Sequence, residues 1–491
     1  MQTVLGGVKG VVNQHIDEKY IKFMKAFEKA KELILKNKND SVAVVHDRDA
    51  DGLSSGGIVI NLLEREGIDW ASFDSDRTYE SFEYVKKEFG DRLIIFTDLG
   101  TGQLEVLKEL GFDLNNIIIL DHHLKINNIY AKYELNPNIY GISGSMEVSG
   151  AGLAYLLART FGYYDLSQYA IVGATGDMQN SFGRFYGLNR VILNDAINSG
   201  VVLVKEGIPI FGRETRPLFK SLQMLNEPRL FVSEKQVYWF LYNVADMSFD
   251  DVKKPLNYIE RGKEKFLQKK LIELYLSKAP LVLKPFVSVY MVGEIYTLTT
   301  KEKGTPLRDA SEFATLLNAT NRQDERDVGV GLLTSGSSKY VQRALYLLRK
   351  NRIELRESIS HILSELDKRR KEYDFMVVLD ETGAVKPHLS GTLLQLIIDR
   401  LTPLYNKPIV GFTEQDDKFF KVSMRESKVL FINGINMAVA IEKASRKVGG
   451  QGGGHPVACG ATIPKARIHE FLKYLHKELL KQAVEKGLMF S

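Results

Sequence analysis

The chain has 491 residues, 66 Lys and Arg against 61 Asp and Glu, and 44% hydrophobic residues. That length exceeds one ordinary core and predicts two or three domains, and the apolar share is that of a globular protein. No stretch is long and uncharged enough to cross a bilayer, and Met1-Gln2-Thr3-Val4-Leu5-Gly6-Gly7 lacks the basic-then-apolar pattern of a secretory leader. The single cysteine, Cys459, excludes an intrachain disulfide and a cysteine-built zinc site, so a reducing, cytoplasmic setting with no membrane attachment is expected. The net charge of +5 is weak evidence for a polyanionic partner.

Residues 13–36 combine a charged surface with apolar Ile21, Met24, Phe27 and Ile34, which predicts a helix. Val42-Ala43-Val44-Val45 predicts a buried strand running into His46-Asp47-Arg48-Asp49-Ala50-Asp51-Gly52, with a helix over 57–66. A strand over 93–96 ends in Thr97-Asp98-Leu99-Gly100 and precedes a helix near 104–110. Another over 116–120 ends in Asp121-His122-His123. Strands that are apolar throughout, each with a polar tip and a following helix, predict a parallel sheet covered on both faces. A helix over 150–161 precedes Ala170-Ile171-Val172-Gly173-Ala174-Thr175-Gly176-Asp177, whose small apolar run reads as either strand or helix.

Further on, the pattern predicts helices over 234–245 and 259–277, strands over 286–292 and 328–333, and a long charged helix over 339–370 with a solvated face. From about 374 it predicts a strand at 375–379, a helix at 391–401, strands at 408–412 and 418–424, and a helix at 436–446. The run Gly449-Gly450-Gln451-Gly452-Gly453-Gly454-His455, a strand over 457–461 and a helix over 465–485 complete the chain. The expected division is 1–200, 201–373 and 374–491.

Three aspartates two residues apart at a strand's carboxyl end suit a hard divalent cation, which takes oxygen ligands, and lie where open α/β sheets bind ligands. Asp and Gly are also common in turns and caps. Asp98, His122 and Asp177 end three further segments. Several carboxylates and an imidazole converging on one sheet edge can hold two divalent cations, roughly 3.5–4 Å apart, which clamp the attacking and leaving oxygens of a phosphoryl displacement. A mixed Asp/His set favours Mn2+ over Ca2+.

Asp49-x-Asp51-Gly52, Thr97-Asp98, Asp121-His122-His123 and Gly176-Asp177 resemble, in order and spacing, the four motifs of the DHH phosphoesterases. Gly452-Gly453-Gly454-His455-Pro456-Val457-Ala458-Cys459-Gly460 resembles the glycine-rich signature of the DHH-associated C-terminal domain, with Cys459 where the family has a small residue. The Asp-x-Asp-x-Asp-Gly form is similar to RecJ-type members; other branches place a histidine where Val45 stands. Glu312-Phe313-Ala314-Thr315-Leu316-Leu317-Asn318 resembles archaeal RecJ-like proteins, including the nuclease that associates with the GINS replication complex.

The resemblance implies an α/β protein: an N-terminal mostly parallel-sheet domain, a mixed helical and strand middle, and a smaller C-terminal α/β domain, with the active-site cleft between. It implies two Mn2+ ions, with Mg2+ or Co2+ as substitutes, held by Asp47, Asp49, Asp51, Asp98, His122 and Asp177. Asp98 would bridge the ions, and His123 would face the scissile phosphate as a catalytic group. Asp121 would cap or orient an imidazole, and His46 is read as a structural histidine. Arg425, Gly453, Gly454 and His455 would bind substrate; Arg308, Asn318 and Arg322 could line the same groove, though a structural role is the better reading of them. The implied activity is a 5′→3′ exonuclease on single-stranded DNA, with RNA also a substrate, releasing mononucleotides in replication and repair. GINS and the replicative helicase are the implied partners. A replisome scaffold and a small-nucleotide phosphodiesterase are the alternatives.

Overall fold

The computed structural model describes residues 18–125, 127–225, 230–279, 281, 283–401 and 407–488. The first predicted helix is Glu18–Lys36, and positions 13–17 lie outside the described residues. Five strands follow: β1 (Val42–His46), β2 (Trp70–Asp74), β3 (Ile94–Thr97), β4 (Ile117–Leu120) and β5 (Tyr133–Glu134). They form one sheet in the order β2-β1-β3-β4-β5, and every pairing is parallel. Alternate residues explain the uniformly apolar strands. Val42, Val44, Ile95, Ile118 and Leu120 enter the core on one face. Ala43, Val45, Ile94, Phe96, Ile117 and Ile119 enter the core on the other. The strand order reverses direction between β1 and β3, and the crevice beyond their carboxyl ends is where such sheets bind ligands.

Residues 208–291 build a helical core of their own, bracketed by the antiparallel pair β6 (Val202–Gly207) and β7 (Gly293–Leu298). After β7 the chain returns to the first core, to which Phe313, Leu317, Leu332, Leu333 and Leu347 belong. Two predicted strands of this stretch are helices. Over 286–292 the alternation of Val287, Val289 and Met291 suggests period two, yet Val287–Met291 is a helical turn. Tyr290 and Met291 bury in the helical core, and packing overrides a weak β propensity. The stretch 328–333 lies in the helix Arg326–Thr334. Its glycines look like a strand's alternation but serve helix contact: a Cβ on Gly329 would lie 2.7 Å from Thr320 Oγ1 and 2.9 Å from Leu53 Cδ1.

The long helix, Ser338–Ser364, has 27 residues, about 40 Å of rise. Ala344, Leu347 and Leu348 pack in the first core, and Ile362 packs in a core of the C-terminal sheet. That sheet comprises β8 (Arg370–Tyr373), β9 (Met376–Asp380), β10 (Ile409–Glu414), β11 (Phe419–Arg425), β12 (Gln451–His455) and β13 (Ala458–Pro464), in the order β12-β13-β11-β10-β9-β8. Only β9 and β10 run parallel. The helix Ser390–Leu401 covers one face, and Met437–Lys447 and Ile468–Glu485 cover the other. The glycine-rich run is therefore the outer strand β12 rather than a linker. The fold is mixed α/β, with a parallel N-terminal sheet and a mixed C-terminal one. Among the described residues no helix is long and apolar enough to cross a membrane.

Candidate functional site

The tips of β1, β3 and β4 and the end of one helix deliver the site. Asp49 caps the helix Ala50–Glu66: its Oδ1 accepts from the backbone N–H of Asp51 (2.9 Å) and Gly52 (3.0 Å). Asp98 follows β3 with φ 62°, a left-handed conformation that non-glycine residues hold mainly where surrounding structure enforces it. Its N–H donates to Leu120 O (2.7 Å), which turns the carboxylate toward β4. His122, just past β4, bonds through Nδ1 to Gly144 O (2.6 Å). That contact places a proton on Nδ1 and turns Nε2 toward the carboxylates. Asp177 lies at the C-terminal end of the helix Ser167–Gly176, which settles the strand-or-helix ambiguity.

His122 Nε2 stands 3.1 Å from Asp98 Oδ1, 3.2 Å from Asp177 Oδ2 and 3.7 Å from Asp51 Oδ2. The three atoms Asp98 Oδ1, His122 Nε2 and Asp177 Oδ2 are buried without a hydrogen-bond partner. An orphaned buried polar atom is costly. Against its burial, Asp98 and Asp177 hold the His122 imidazole well above its usual pKa; once protons leave, two carboxylate oxygens and one imidazole nitrogen match the donor set of a divalent transition cation. Among the described residues, three groups have ligand atoms within 4.8 Å of one another: Asp47, Asp49 and Asp98; Asp98, His122 and His123; His122, Asp177 and His455. Asp98 joins the first two and His122 the last two, so a two-ion arrangement fits these residues.

Asp51 stands apart from those groups. Its oxygens accept from Ser149 Oγ (2.8 Å), Gly150 N (2.6 Å) and Ala151 N (3.0 Å), at the start of the helix Gly150–Thr160. Even so, burial and the nearby Asp177 push its carboxyl up to about 8. Burial and Asp47 push Asp49 up to about 6, and burial with Asp51 lifts Asp98 well above the ordinary range. Asp177 goes the other way: against its burial, His455 and His122 hold it low.

His123 is oriented by Asp121, whose Oδ1 lies 2.8 Å from Nδ1. Burial and Arg77 hold the imidazole below its usual pKa, so Nε2 offers a lone pair, 3.4 Å from Arg77 Nη2. Asp47 pairs with the same Arg77. His46 is a buried structural histidine: Nδ1 contacts Asp47 O (2.8 Å) and the ring packs on Gly56.

From the C-terminal domain, His455 Nε2 reaches within 3.3 Å of Asp177 Oδ2, so the two sheets close on one another at the site. Gly453 has open space where a Cβ would be, and Gly454 has φ 127°. Arg425 lies flat against Gly391, with Nη1 on Met424 O (2.7 Å). Arg425, Arg322 and Lys421 are half-buried and none has a carboxylate within 4 Å among the described residues. Burial and neighbouring Arg425 hold Arg322 down to about 10 and depress Lys421 as well. The acids that bear on them, Glu381, Asp49 and Asp47, lie beyond ion-pair distance, so the guanidinium and ammonium groups are left without a direct carboxylate partner among the described residues. Asn318 Oδ1 accepts from Ala50 N (3.1 Å), tying the middle of the chain to the Asp49 loop. Asn318→Ala is expected to cost about 1 kcal/mol in a melting experiment and to raise the metal concentration giving half-maximal activity.

Reading the sequence missed Arg77, Lys421 and Ser149. Arg77 follows β2, a short half-exposed strand with no clean alternation, and carries no motif. Ser149 had a signal: a serine before Gly150-Ala151-Gly152 is a helix N-cap, and such an N-terminus is an anion seat.

Residues 41–176 match the model of the DHH family N-terminal domain, and 380–481 match the DHHA1 domain. An uncharacterized protein of Methanocaldococcus jannaschii is 31% identical over 470 residues, covering 93% of this chain and 97% of that one. The fold is similar to CDC45 from Entamoeba histolytica (TM-score 0.61, 15% identity, 93% of this chain and 99% of that one). It is also similar to RecJ in complex with Mn2+ from Thermus thermophilus (TM-score 0.55, 16% identity), where the match covers 94% of this chain and 55% of that one. The chain thus spans about half the length of that RecJ.

Proposed function

The chain belongs to the DHH family, and from that premise we propose that it is a RecJ-like phosphoesterase, a Mn2+-dependent exonuclease hydrolysing single-stranded nucleic acid to mononucleotides. The observation that carries this reading is the trio of orphaned atoms, Asp98 Oδ1, His122 Nε2 and Asp177 Oδ2, near cations that make no direct ion pair among the described residues. RecJ of Thermus thermophilus, a structural neighbour, is described in complex with Mn2+, which supports the choice of ion.

Asp47, Asp49, Asp98, His122 and Asp177 would hold the ions, with Asp51 setting the loop that carries Asp49. Divalent cations at such a site acidify a bound water and offset charge on the phosphoryl oxygens. Arg425, Arg322 and Lys421 take the phosphates of the strand, and Gly453 and Gly454 let the backbone approach it. A phosphodiester that draws Arg77 away leaves His123 Nε2 facing it. The added negative charge favours the imidazolium, an N–H donor to the oxygen where charge develops.

End-labelled single strands of DNA and RNA digested with Mn2+ test the reading. Mononucleotide release in the 5′→3′ direction is the expected result; activity confined to duplex would contradict it. A dinucleotide turned over faster than a long strand would favour a small-nucleotide phosphodiesterase. The retained metal-type side chains weigh against a scaffold alone, and copurification with GINS subunits would add that partnership to the enzyme.

A further inference from the structure

The two nitrogens of the His122 ring are held by residues that stand two apart in the chain. Asp177 Oδ2 lies 3.2 Å from Nε2. On the far side of the ring, Gly144 O accepts from Nδ1 (2.6 Å) and also from Gln179 Nε2 (2.9 Å). Asp177 and Gln179 are joined through Met178, which has φ 56°, a left-handed conformation that a long side chain holds mainly where its surroundings enforce it. Bonds from Met178 N to Thr175 O (3.1 Å) and from Gln179 N to Ala174 O (3.0 Å) fold that turn back onto the helix Ser167–Gly176. The contacts close a circuit that runs from His122 through Gly144, Gln179 and Asp177 back to His122.

The segment that carries Gly144 is tied down around this circuit. A Cβ on Gly144 would lie 1.9 Å from His122 O, so glycine is what lets the two backbones approach this closely. Glu147 Oε2 accepts from Ser143 N (2.8 Å), and Gln179 Nε2 reaches Val148 O as well (3.3 Å). Gln179 is itself fixed by Asn189 of the helix Gly187–Asn198. Asn189 Nδ2 donates to Gln179 Oε1 (2.5 Å), and Asn189 N donates to Glu147 O (2.7 Å). With two carbonyls on its nitrogen and a donor on its oxygen, the Gln179 amide can face only one way. Gln179 and Asn189 are each 1% exposed.

We propose that Gln179, oriented by Asn189, is a positioning residue: it fixes the spacing between His122 Nε2 and Asp177 Oδ2 and thereby the affinity of the divalent cation those atoms face. This rests on the reading that the site takes Mn2+. Without the amide, the segment 143–148 loses its tie to the turn that carries Asp177. The His122 ring and the Asp177 carboxylate then move independently of one another. Contacts that orient metal ligands from behind are worth about 10- to 100-fold in metal affinity. Asp47, Asp49 and Asp98 form a ligand group that the circuit does not include, so the loss falls on one of the two ions.

The test is a Mn2+ titration of the full chain, with the free ion read from its EPR signal. The parent is expected to take up two ions. Gln179→Met, of similar length but without the amide, should raise one dissociation constant about tenfold or more and leave the other within about twofold. A general loss of fold would weaken both ions together, so the unequal loss is the signature of positioning. In that variant Asn189 is also left without its acceptor, which costs stability. The double variant Gln179→Met, Asn189→Leu removes both partners, should melt closer to the parent in EDTA than the single variant does, and should keep the loss of about tenfold. Parent affinity restored in the double variant, an equal loss of both ions, or no loss at all overturns the proposal. A parent protein that takes up no Mn2+ removes the metal reading, and the proposal with it, before any variant is made.

Discussion

Asp98→Ala is expected to lower hydrolysis of a single-stranded oligonucleotide by a thousandfold or more, equivalent to about 4 kcal/mol of transition-state stabilisation. Asp98 is the one carboxylate shared by two of the three ligand groups, so removing it disturbs both ion positions at once. Unfolding is not the expected cause. Asp98 is buried, its Oδ1 has no hydrogen-bond partner, and burial with Asp51 raises its pKa. In metal-free protein its charge is a cost, and the variant should melt at the same temperature as the parent or higher when EDTA is present. A variant retaining more than about a tenth of the parent rate would sink the assignment. His123→Ala is the contrasting case. Its ring is held by Asp121, and it belongs only to the middle group. It is expected to lower kcat about a hundredfold, the scale of losing one donor to a developing oxyanion, while Mn2+ still raises the melting temperature. If His123→Ala abolished that rise, His123 would be a ligand rather than a phosphate-facing group.

Reading the sequence reached the strand tips because each sits directly after an apolar run. Asp49 after Val42–His46, Asp98 after Ile94–Thr97 and His122 after Ile117–Leu120 need only local pattern, and parallel order brings those tips to one edge. What pattern could not supply was contact across distance. Asp51 is held by amides about a hundred residues away; the N-cap at Ser149 announces an anion seat there but not which carboxylate fills it. Arg77 pairs with Asp47 and nears His123 from a loop whose preceding strand is half-exposed on both faces. The middle of the chain was the least legible for a related reason. Residues 208–291 form one core, while 310–348 complete the core of the N-terminal sheet. Glycines at 329 and 331 mark helices pressed together rather than strand alternation. Local spacing cannot distinguish a small residue kept for helix contact from one kept for a strand.

Metal removal is expected to destabilise the protein, and by more at pH 8 than at pH 5. Asp51 and Asp49 are pushed up to about 8 and about 6 from an ordinary value of 3.8. A carboxyl whose folded pKa is raised keeps its proton in the folded state after the unfolded chain has lost it. The unfolded state then binds fewer protons, so stability falls as pH rises from about 4 to about 8. Asp309, pushed up to about 7 by burial and Glu312, adds a slope of the same sign away from the cluster. Divalent cations compete with protons for the cluster and leave Asp309 alone, so the difference between melts with Mn2+ and with EDTA isolates the cluster. At one hundred to one thousand times its dissociation constant a ligand adds about 2.7 to 4.1 kcal/mol. For domains of this size that is on the order of 5–15 °C. The Mn2+-minus-EDTA difference should widen from pH 5 to pH 8 and then flatten, because the protons displaced by the ion are gone above the highest folded pKa. Asp177→Asn should shrink it at every pH. A difference that is flat across pH 5–8, or unchanged in that variant, would mean that the ion binds elsewhere.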